Sequence, residues 1–276
     1  MNVLVLGGQG MAGHMIVDYL KRQEGYGVHF TTRTGGGDSI QLDVRDLSSV
    51  SRVLKEIRPE VVINAVGLLN EAAEQNLKDS LIINGLLPHH ITEVLEDMGA
   101  GGRLVHISTD CVFSGKAGEY DEHAVKDGAS VYAKTKSLGE VTKSPHLTIR
   151  TSIIGPELKE DGRGLFLWFM KQAGEIKGFD RVYWNGVTTL ELAKAIEHSL
   201  REGIAGLWHL SQEDKVSKYQ LLTMMKVVFD KSDVTILKDT EHYSDKSLVN
   251  TRKDIEYRVP GYPVMLQEMR NWMEGI

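Results

Sequence analysis

The N-terminal segment NVLVLGGQGMAGHMIVDYL places a short apolar run directly before a glycine-rich loop and an amphipathic stretch directly after it. This order predicts a buried strand, a tight turn and a helix. Gly7, Gly10 and Gly13 follow a GxxGxxG spacing rather than GxGxxG. Glycines allow close backbone approach there, and the free N–H groups at a helix N-terminus favour a pyrophosphate. The loop therefore predicts a dinucleotide site; the alternative is a tight turn that needs glycine for a positive φ.

Short runs rich in Val, Ile and Leu alternate with longer segments of helical periodicity as far as Arg150. This alternation predicts an α/β fold, a Rossmann-like doubly wound parallel sheet covered by helices on both faces. The predicted strands are Val3–Leu6, Val28–Thr32, Ser39–Leu42, Val61–Asn64, Arg103–Ser108 and Leu147–Arg150. The predicted helices are Met11–Gln23, Leu47–Ile57, Ser130–Thr142 and a long segment Asn70–Met98 that breaks near Asn84–Pro88.

Beyond residue 155 the elements become shorter and are punctuated by glycines. Thr189–Glu202 and Lys218–Phe229 have the periodicity of amphipathic helices. We expect a nucleotide-binding domain over residues 1–155 and a smaller C-terminal substrate lobe over residues 156–276, with segments that can interleave. No long linker separates the two, so the lobes should share an interface.

Composition narrows the classes of function. The formal net charge of −6 comes without a basic cluster, which argues against a nucleic-acid partner. Cys111 is the only cysteine, so an internal disulfide is impossible and a reducing cytoplasm is expected. No apolar window is long enough for a membrane span, and the opening apolar run lacks the basic flank of a signal peptide. The histidines lack metal-ligand spacing, so no metal is predicted.

The end of the second predicted strand bears on the choice of cofactor. An acid there would bind the ribose 2′-hydroxyl of NAD, whereas an arginine accommodates the 2′-phosphate of NADP. Thr32 and Arg33 stand at that point, and no acid follows until Asp38, so NADP(H) is favoured and NAD(H) remains possible. The alternatives are that Arg33 is a solvated cation and that the glycines before Asp38 return this acid to the site. Asp43 is either an adenine contact or a cap or turn residue.

Tyr132 and Lys136 lie one helical turn apart on the same face of the predicted helix Ser130–Thr142. A phenol near neutral pH transfers protons poorly unless a cation stabilises its phenolate, and a neighbouring ammonium supplies that cation. Taken alone, such a pair is common on solvated helix faces. The nucleotide loop strengthens the catalytic interpretation of this pair. Ser108 and Thr109 lie at the end of a predicted strand, and the hydroxyl of one of them could contact a substrate oxygen.

At these motifs the chain resembles the extended short-chain dehydrogenase/reductase superfamily and, within it, the dTDP-4-dehydrorhamnose reductase family. The resemblance rests on GGQGMAG, VVINAVG at Val61–Gly67, HISTDCVFSG at His106–Gly115, VYAKTKSLGE at Val131–Glu140 and TIRTS at Thr148–Ser152. More loosely, YWNGVTTLELAKAI at Tyr183–Ile196 and GLWHLS at Gly206–Ser211 resemble that family's substrate lobe.

The resemblance implies a catalytic triad of Thr109, Tyr132 and Lys136, in which Tyr132 donates a proton to a carbonyl oxygen and Lys136 also binds the nicotinamide ribose. It also implies a helix asparagine, Asn84, that supports a proton-relay water. The expected cofactor-binding residues are Gly7, Gly10, Met11, Ala12, Gly13, Thr32, Arg33, Asp43, Val44, Ala65, Val66, Gly67, Asn84, Tyr132 and Lys136.

The chain departs from the family pattern at Met11, at Cys111, where a tyrosine is usual, and at the two isoleucines after Ser152. These departures concern the sugar rather than the cofactor. The substrate candidates are Thr109, Asp110, Trp184, Asn185 and Arg252. For the segment after Trp184 the alternative is helix capping by Thr188 or Thr189, and for Arg252 it is a surface ion pair.

The resemblance implies an NADP(H)-dependent reductase of a nucleotide-linked 4-keto-6-deoxysugar, acting in the synthesis of a deoxysugar such as dTDP-L-rhamnose. One alternative is an epimerase or dehydratase of the same superfamily, and another is a non-catalytic, NADP-binding regulatory subunit. A homodimer is a further expectation from the family. The joint presence of Thr109, Tyr132 and Lys136 favours catalysis.

Overall fold

A computed structural model of the chain describes residues 1–99, 101–159, 162 and 164–275. The strands are β1 Asn2–Leu6, β2 Gly27–Thr32, β3 Ile40–Gln41, β4 Val61–Asn64, β5 Arg103–Thr109, β6 Leu147–Thr151, β7 Ile153–Ile154, β8 Gly174–Phe179, β9 Val182–Trp184, β10 Val187–Thr188, β11 Gly206–His209, β12 Val216–Ser217, β13 Val234–Asp239 and β14 Ser244–Asp245. The α-helices are α1 Met11–Lys21, α2 Leu47–Ile57, α3 Asn70–Gln75, α4 Leu77–Ser80, α5 Leu87–Asp97, α6 Val131–Leu138, α7 Leu165–Met170, α8 Thr189–Arg201, α9 Lys218–Val228 and α10 Tyr262–Glu274. A π-helical segment spans Leu81–Leu86, and a 3₁₀ turn spans Asp110–Val112.

Strand β1 lies inside a seven-stranded sheet with the order β11-β6-β5-β4-β1-β2-β3. All of its neighbour pairings are parallel, as are the others in this sheet. Val3 and Val5 pack with α1 and α8 on one face, and Leu4 and Leu6 pack with α2 and α5 on the other. Because successive side chains of a strand point to opposite faces, β1 is buried on both. The predicted Rossmann-like, doubly wound α/β class is confirmed.

The C-terminal residues do not form an isolated lobe. Strand β11, at Gly206–His209, pairs with β6 and completes the edge of the main sheet. Smaller pairings join β7 to β10, β8 to β13, and β9 to β12 and β14. One hydrophobic core runs from α1 and α8 to Phe166 of α7, Leu221 of α9 and Met265 of α10. The part beyond residue 155 therefore contributes a strand of the main sheet as well as the smaller strand pairings.

The predicted break in the long helical segment near Asn84–Pro88 is a change of helix type at Leu81–Leu86 rather than an end of helical structure. The chain stays helical there, passing through the π-helical segment into α5, and the interruption lies instead at Asn76, between α3 and α4. Pro88 occupies the first turn of α5, where its missing N–H costs least. Helix α6 ends at Leu138, short of the predicted Thr142. A Cβ on the next residue, Gly139, would lie 1.9 Å from the carbonyl oxygen of Asn84, so only glycine fits this contact.

A buried ion pair lies beneath the carboxyl edge of the sheet. The Arg150 Nε and Nη2 atoms donate to the two Glu140 carboxylate oxygens at 2.7 and 2.8 Å. The two side chains are only 3% and 2% exposed. Lys126 Nζ lies 3.0 Å from Glu140 Oε2, and Ser108 donates to Oε1 at 2.8 Å. Burial opposes ionisation of Glu140, but the hydrogen bond and charge of Arg150, joined by Lys126, outweigh it and hold its pKa below the usual value.

We expect Glu140→Gln to lower the free energy of unfolding by about 3–5 kcal/mol, because Arg150 would then be buried without its counter-charge. The pKa of Glu140 is depressed in the folded state, so its contribution is present above the ordinary glutamate pKa of about 4.3 and is lost as pH falls through the folded value. Urea unfolding should therefore show the largest difference near neutral pH. The control is Glu96→Gln, which breaks the exposed pair with Lys143 and should cost about 0–1 kcal/mol. Equal losses in the two variants would contradict the prediction.

Candidate active site

The loop after β1 closes tightly on the start of α1. The Gly10 N–H donates to the Gly7 carbonyl oxygen at 2.9 Å, and Gly10 is the residue that precedes the helix, with no side-chain cap. A Cβ at Gly13 would lie 2.1 Å from the same oxygen, so this helical turn requires glycine. No acidic side chain occupies the first turn of α1. The N–H groups and positive dipole end of the helix are therefore open to an anion.

A cavity of about 440 Å³ lies against this loop at the carboxyl edge of the sheet. Of the predicted cofactor-binding residues, it is lined by Gly7, Gly10, Thr32, Arg33, Asp43, Val44, Val66 and Gly67. The remaining predicted residues are not part of its lining: Met11, Ala12 and Gly13 lie in the first turn of α1, Ala65 precedes Val66, Asn84 lies in the π-helical segment, and Tyr132 and Lys136 lie on α6. A glycine cradle at a helix N-terminus beside a cavity of this size fits a dinucleotide.

The two predictions for the end of β2 concern Arg33 and Asp38. Arg33 is exposed and lines the cavity. Asp38 does not line it; its carboxylate is 90% exposed and lies 3.9 Å from Lys21 Nζ. Thr32 Oγ1 accepts a hydrogen bond from the Gly35 N–H at 3.0 Å and so holds the glycine turn. The turn therefore keeps Asp38 away from the cavity, and the cation at this position is Arg33.

Asp43 both lines the cavity and forms a turn. Its carboxylate accepts from the backbone N–H and the guanidinium of Arg45, and the cap of α2 is Asp46 instead. The hydrogen bond from Arg45 is the main cause of its lowered pKa. Arg45 also donates to Asp79 at 3.1 Å, and Lys159 lines the cavity as well. The sequence interpretation missed Arg45 and Lys159; the proximity of Arg45 to Asp43 was the one available signal.

Asn84 fastens α6 to the loop that lines the cavity. Its Oδ1 accepts from the Leu68 N–H at 2.9 Å, and its Nδ2 donates to the Leu68 carbonyl at 2.9 Å and to Thr135 Oγ1 at 3.1 Å. The residue lies in the π-helical segment, a feature often found at functional sites. In these three hydrogen bonds the Asn84 side chain contacts other parts of the protein. The structure thus gives Asn84 a positioning task, and the support of a proton-relay water stays a prediction.

The three residues of the predicted catalytic triad are all buried. Thr109 ends β5, where its hydroxyl accepts from the Cys111 N–H at 3.1 Å and donates to Asp110 Oδ1 at 3.2 Å. Tyr132 and Lys136 lie on α6, which Ser130 caps by accepting from the Ala133 N–H. The helix contacts both β5 and the 3₁₀ turn, so the triad residues lie at one place beside the carboxyl end of β5.

The pKa shift of Tyr132 differs from the expectation that a neighbouring ammonium stabilises its phenolate. Burial raises the pKa of Tyr132 above its ordinary value, as do the nearby Cys111 and Asp110, while the Thr109 hydroxyl lowers it in part. Burial lowers the pKa of Lys136 to about 8. Lys136 Nζ lies 2.6 Å from the Ile107 carbonyl oxygen and 3.1 Å from His106 Nε2. In this state Tyr132 therefore retains its proton, as a general acid requires.

Two lysines missing from the sequence interpretation lie near the candidate substrate residue Asp110. Lys246 Nζ is 3.5 Å from Cys111 Sγ, and Lys218 Nζ lies 5.0 Å above the Trp184 ring. Burial raises the pKa of Asp110, and both lysines lower it in part. Burial likewise raises the pKa of Cys111 to about 11, which keeps it a thiol. Neither lysine belongs to a motif, so only the tertiary structure could reveal them.

Two predicted substrate residues, Asn185 and Arg252, have structural partners, and their contact with a substrate stays a prediction. Asn185 is buried and serves as a structural tie: its amide donates to the Gln212 and Leu248 carbonyl oxygens and accepts from the Leu248 N–H. Arg252 lies at the amino end of β11, donating to the Ala205 and Leu207 carbonyl oxygens and pairing with Asp254. Because the glycine loop and Thr109 lie at the carboxyl ends of their strands, Arg252 is at the opposite edge. The alternative, a surface ion pair, is what the structure shows.

Trp184 and the two threonines after it have mainly structural contacts. Trp184 is buried, and its Nε1 donates to Ser152 Oγ at 2.9 Å, while one face of its ring meets Lys218. Thr188 caps α8 by accepting from the Glu191 N–H, as the alternative proposed. Thr189 is buried at the start of that helix.

In the part of the chain that the structure describes, no cluster of His, Cys, Asp or Glu side chains is arranged to hold a metal ion. Within the same residues, no helix has the length and apolar character that crossing a bilayer demands.

A doubly wound sheet with a nucleotide-type glycine loop after β1 and a Tyr-Lys pair beside β5 defines a protein of the short-chain dehydrogenase/reductase type. The chain belongs to the family described as the RmlD substrate binding domain, whose family model matches residues 1–247.

The proteins to which this chain is similar in sequence are named for different functions. The chain is 29% identical over 255 residues to the spore coat polysaccharide biosynthesis protein SpsK of Bacillus subtilis, covering 89% of this chain and 85% of that protein. It is 28% identical to a dTDP-4-keto-6-deoxy-D-glucose reductase of Streptomyces niveus, over 80% and 76% of the two chains. It is also 22% identical to the methionine adenosyltransferase 2 subunit beta of Danio rerio, over 87% and 77%.

Among solved structures, the fold is similar to that of a dTDP-4-dehydrorhamnose reductase from Bacillus anthracis determined in complex with NADP. The TM-score is 0.84 at 20% sequence identity, and the match covers 100% of this chain and 99% of that one. At this identity the likeness concerns the fold.

We expect Gly13→Ala to weaken nucleotide binding and to destabilise the fold by about 1–3 kcal/mol, because the new Cβ would overlap the Gly7 carbonyl oxygen. Fluorescence titration with NADPH and urea unfolding measure the two effects. Gly27→Ala is the matched control, since a Cβ added there would meet no heavy atom within 4 Å and the φ of Gly27 is not positive. Wild-type affinity in Gly13→Ala would show that the close contact is dispensable.

Proposed function

We propose that the protein is an NADP(H)-dependent reductase of a nucleotide-linked 4-keto-6-deoxysugar, of the dTDP-4-dehydrorhamnose reductase kind. The observation that carries the proposal is the buried Tyr132 phenol, which keeps its proton beside the Thr109 hydroxyl, together with the cavity that the glycine loop and Arg33 line. A protonated acid beside a hydroxyl donor suits a carbonyl that becomes an alcohol.

Within this proposal each residue of the triad has one task. Tyr132 gives its phenolic proton to the carbonyl oxygen, and Thr109 polarises that oxygen through a hydrogen bond. Lys136 binds the nicotinamide ribose from the position that Ile107 and His106 give its Nζ atom. The cofactor, when bound, supplies the hydride. Burial of all three side chains removes competing water from the reacting atoms.

The choice of NADP(H) over NAD(H) rests on Arg33. It is the cation that lines the cavity at the end of β2, and the first acid after it, Asp38, faces Lys21 instead. A guanidinium at this position can bind a 2′-phosphate through two parallel hydrogen bonds. The remaining carboxylates in the lining, Asp43 and Asp79, are both paired with Arg45.

A non-catalytic role is the second candidate, and the similarity to the methionine adenosyltransferase subunit beta is the observation that favours it. Such a protein would bind NADPH without turnover. An epimerase of the same superfamily would keep its cofactor bound and consume none. Net oxidation of NADPH that matches the amount of ketosugar added supports the reductase alone.

We expect Tyr132→Phe to lower kcat for NADPH oxidation by about 10²–10⁴-fold, because the proton donor is lost while the cofactor cavity is unchanged. The assay follows NADPH absorbance with dTDP-4-keto-6-deoxy-L-lyxo-hexose, and a parallel fluorescence titration should show unaltered NADPH affinity. Tyr243→Phe, an exposed tyrosine, is the control. If the wild type binds NADPH but reduces no related ketosugar, the reductase proposal fails and the regulatory role gains support.

Arg33→Ala tests the cofactor preference. Loss of one charged hydrogen-bonding partner costs about 1.5–3 kcal/mol, so we expect NADPH to bind about 10- to 100-fold more weakly while NADH affinity changes little. Titrations of both cofactors measure the ratio. Arg52→Ala removes an exposed arginine of α2 that does not line the cavity and should leave both affinities unaltered. A parallel loss of NADH and NADPH affinity in Arg33→Ala would contradict a 2′-phosphate contact.

A further inference from the structure

Two lysines from separate segments of the C-terminal half lie beside Asp110, the residue that follows Thr109 in the sequence. Lys218 is the first residue of α9, and Lys246 directly follows β14. The charges of both lysines lower the pKa of Asp110, so both ammonium groups act on the same carboxyl group. Two cations are therefore placed next to a residue of the predicted triad.

The position of Lys246 is set by a backbone hydrogen bond and a glycine. The Asp245 N–H donates to the Gly115 carbonyl oxygen at 2.8 Å. A Cβ at Gly115 would lie 2.9 Å from Lys246 Cγ, so this glycine, with a φ of +81°, lets the lysine stem pass close to the loop. Lys246 Nζ then lies 3.5 Å from Cys111 Sγ. Burial raises the pKa of Cys111 to about 11, so this neighbour is an uncharged thiol.

Lys218 is positioned by a helix cap and by a strand pairing. Ser217 caps α9 through a capping box with Gln220, and it pairs with Tyr183 of β9. Lys218 Nζ lies 5.0 Å from the centre of the buried Trp184 ring. Such a cation–π contact orients an ammonium but does not neutralise its charge. Burial lowers the pKa of Lys218 to about 8, so the ammonium form still predominates at pH 7.

Among the residues that the structure describes, neither of the two lysines has a carboxylate at ion-pair distance; their nearest recorded contacts are the thiol and the indole. A lysine close to them is paired: Lys215 Nζ lies 2.8 Å from Asp245 and 3.0 Å from Glu119. A half-buried ammonium without a paired counter-charge has lost part of its hydration, and no ion pair offsets that cost. The two lysines are therefore prepared for an anion that a ligand supplies.

A cavity of about 550 Å³ gives a ligand access to Lys218. Leu165, Trp168 and Gln172 also line this cavity. Within the described part of the chain, no residue of its lining also lines the cavity at the glycine loop. An anion can therefore reach Lys218 while a cofactor occupies the glycine loop.

We propose that Lys218 and Lys246 form an oxyanion-binding subsite beside Asp110 and that this subsite holds the diphosphate of the nucleotide-linked substrate. The diphosphate is the anionic part of such a substrate, and its two adjacent phosphate groups match two cations from separate segments. The assignment to the substrate rests on the proposed function, whereas the affinity of the two lysines for a diphosphate does not. Both residues determine substrate binding rather than proton transfer.

Isothermal titration calorimetry of the full-length protein with dTDP tests the subsite without turnover. The protein is titrated both alone and after saturation with NADPH, which fills the glycine loop. We expect dTDP to bind in both cases, inorganic pyrophosphate to compete with it, and thymidine, which lacks the phosphates, to bind far more weakly. Loss of dTDP binding on saturation with NADPH would assign the oxyanion site to the glycine loop and overturn the proposal. Equal affinities for thymidine and dTDP would overturn it as well.

Lys218→Met and Lys246→Met each remove an ammonium group and keep most of the apolar stem. Loss of one charged hydrogen-bonding partner should weaken dTDP binding about 10- to 100-fold in each variant. Lys55→Met removes an exposed lysine of α2 and is the matched control. Urea unfolding of the three variants measures stability separately, because a purely structural role would lower stability and leave affinity unaltered. Wild-type dTDP affinity in either folded variant of the pair would contradict the subsite.

Kinetics separate the subsite from the proton donor. Contacts with a diphosphate remote from the reacting carbonyl are alike in the ground state and the transition state. Lys218→Met should therefore raise KM for the ketosugar with little change in kcat, in contrast to Tyr132→Phe. A lower kcat with an unaltered KM would contradict the diphosphate assignment. If the wild type binds dTDP through the two lysines but reduces no ketosugar, the proposed function fails and the oxyanion subsite stands.

Discussion

Burial of β1 on both faces is the constraint on which the rest of the structure depends. Its four apolar side chains are inaccessible to solvent, and they divide between two cores, one built with α1 and α8 and the other with α2 and α5. A strand placed in this way must be central and parallel to its neighbours. The loop that follows it then emerges at the carboxyl edge, where the order of strands reverses and ligands bind in folds of this kind.

Beneath that edge the chain buries several polar side chains that are paired with one another. Arg150 and Glu140 form a two-pronged ion pair, while Asn64, His106 and Lys136 form a chain of hydrogen bonds. A buried polar group without a partner is costly, so such networks admit few alternative arrangements. These hydrogen bonds allow a side chain as flexible as Lys136 to hold its Nζ atom at one position.

The candidate site joins the part of the chain that lines the cavity to the part that carries the predicted catalytic triad. The cavity and the glycine cradle are built from β1, β2 and β4, and the triad from β5 and α6, with Asn84 fastening one to the other. The neighbourhood of Asp110 also receives Lys218 and Lys246 from the C-terminal half.

The sequence by itself determined the fold class, the glycine loop and the Tyr132–Lys136 pair, because each depends on short-range periodicity or spacing. It also placed Arg33 ahead of any acid at the end of β2. Only the tertiary structure decided that β11 completes the sheet, that Asn185 and Arg252 have structural partners, and that Lys218 and Lys246 approach Asp110. Local sequence patterns indicate which helix or strand a residue belongs to, whereas contacts between residues distant in sequence depend on how the helices and strands pack.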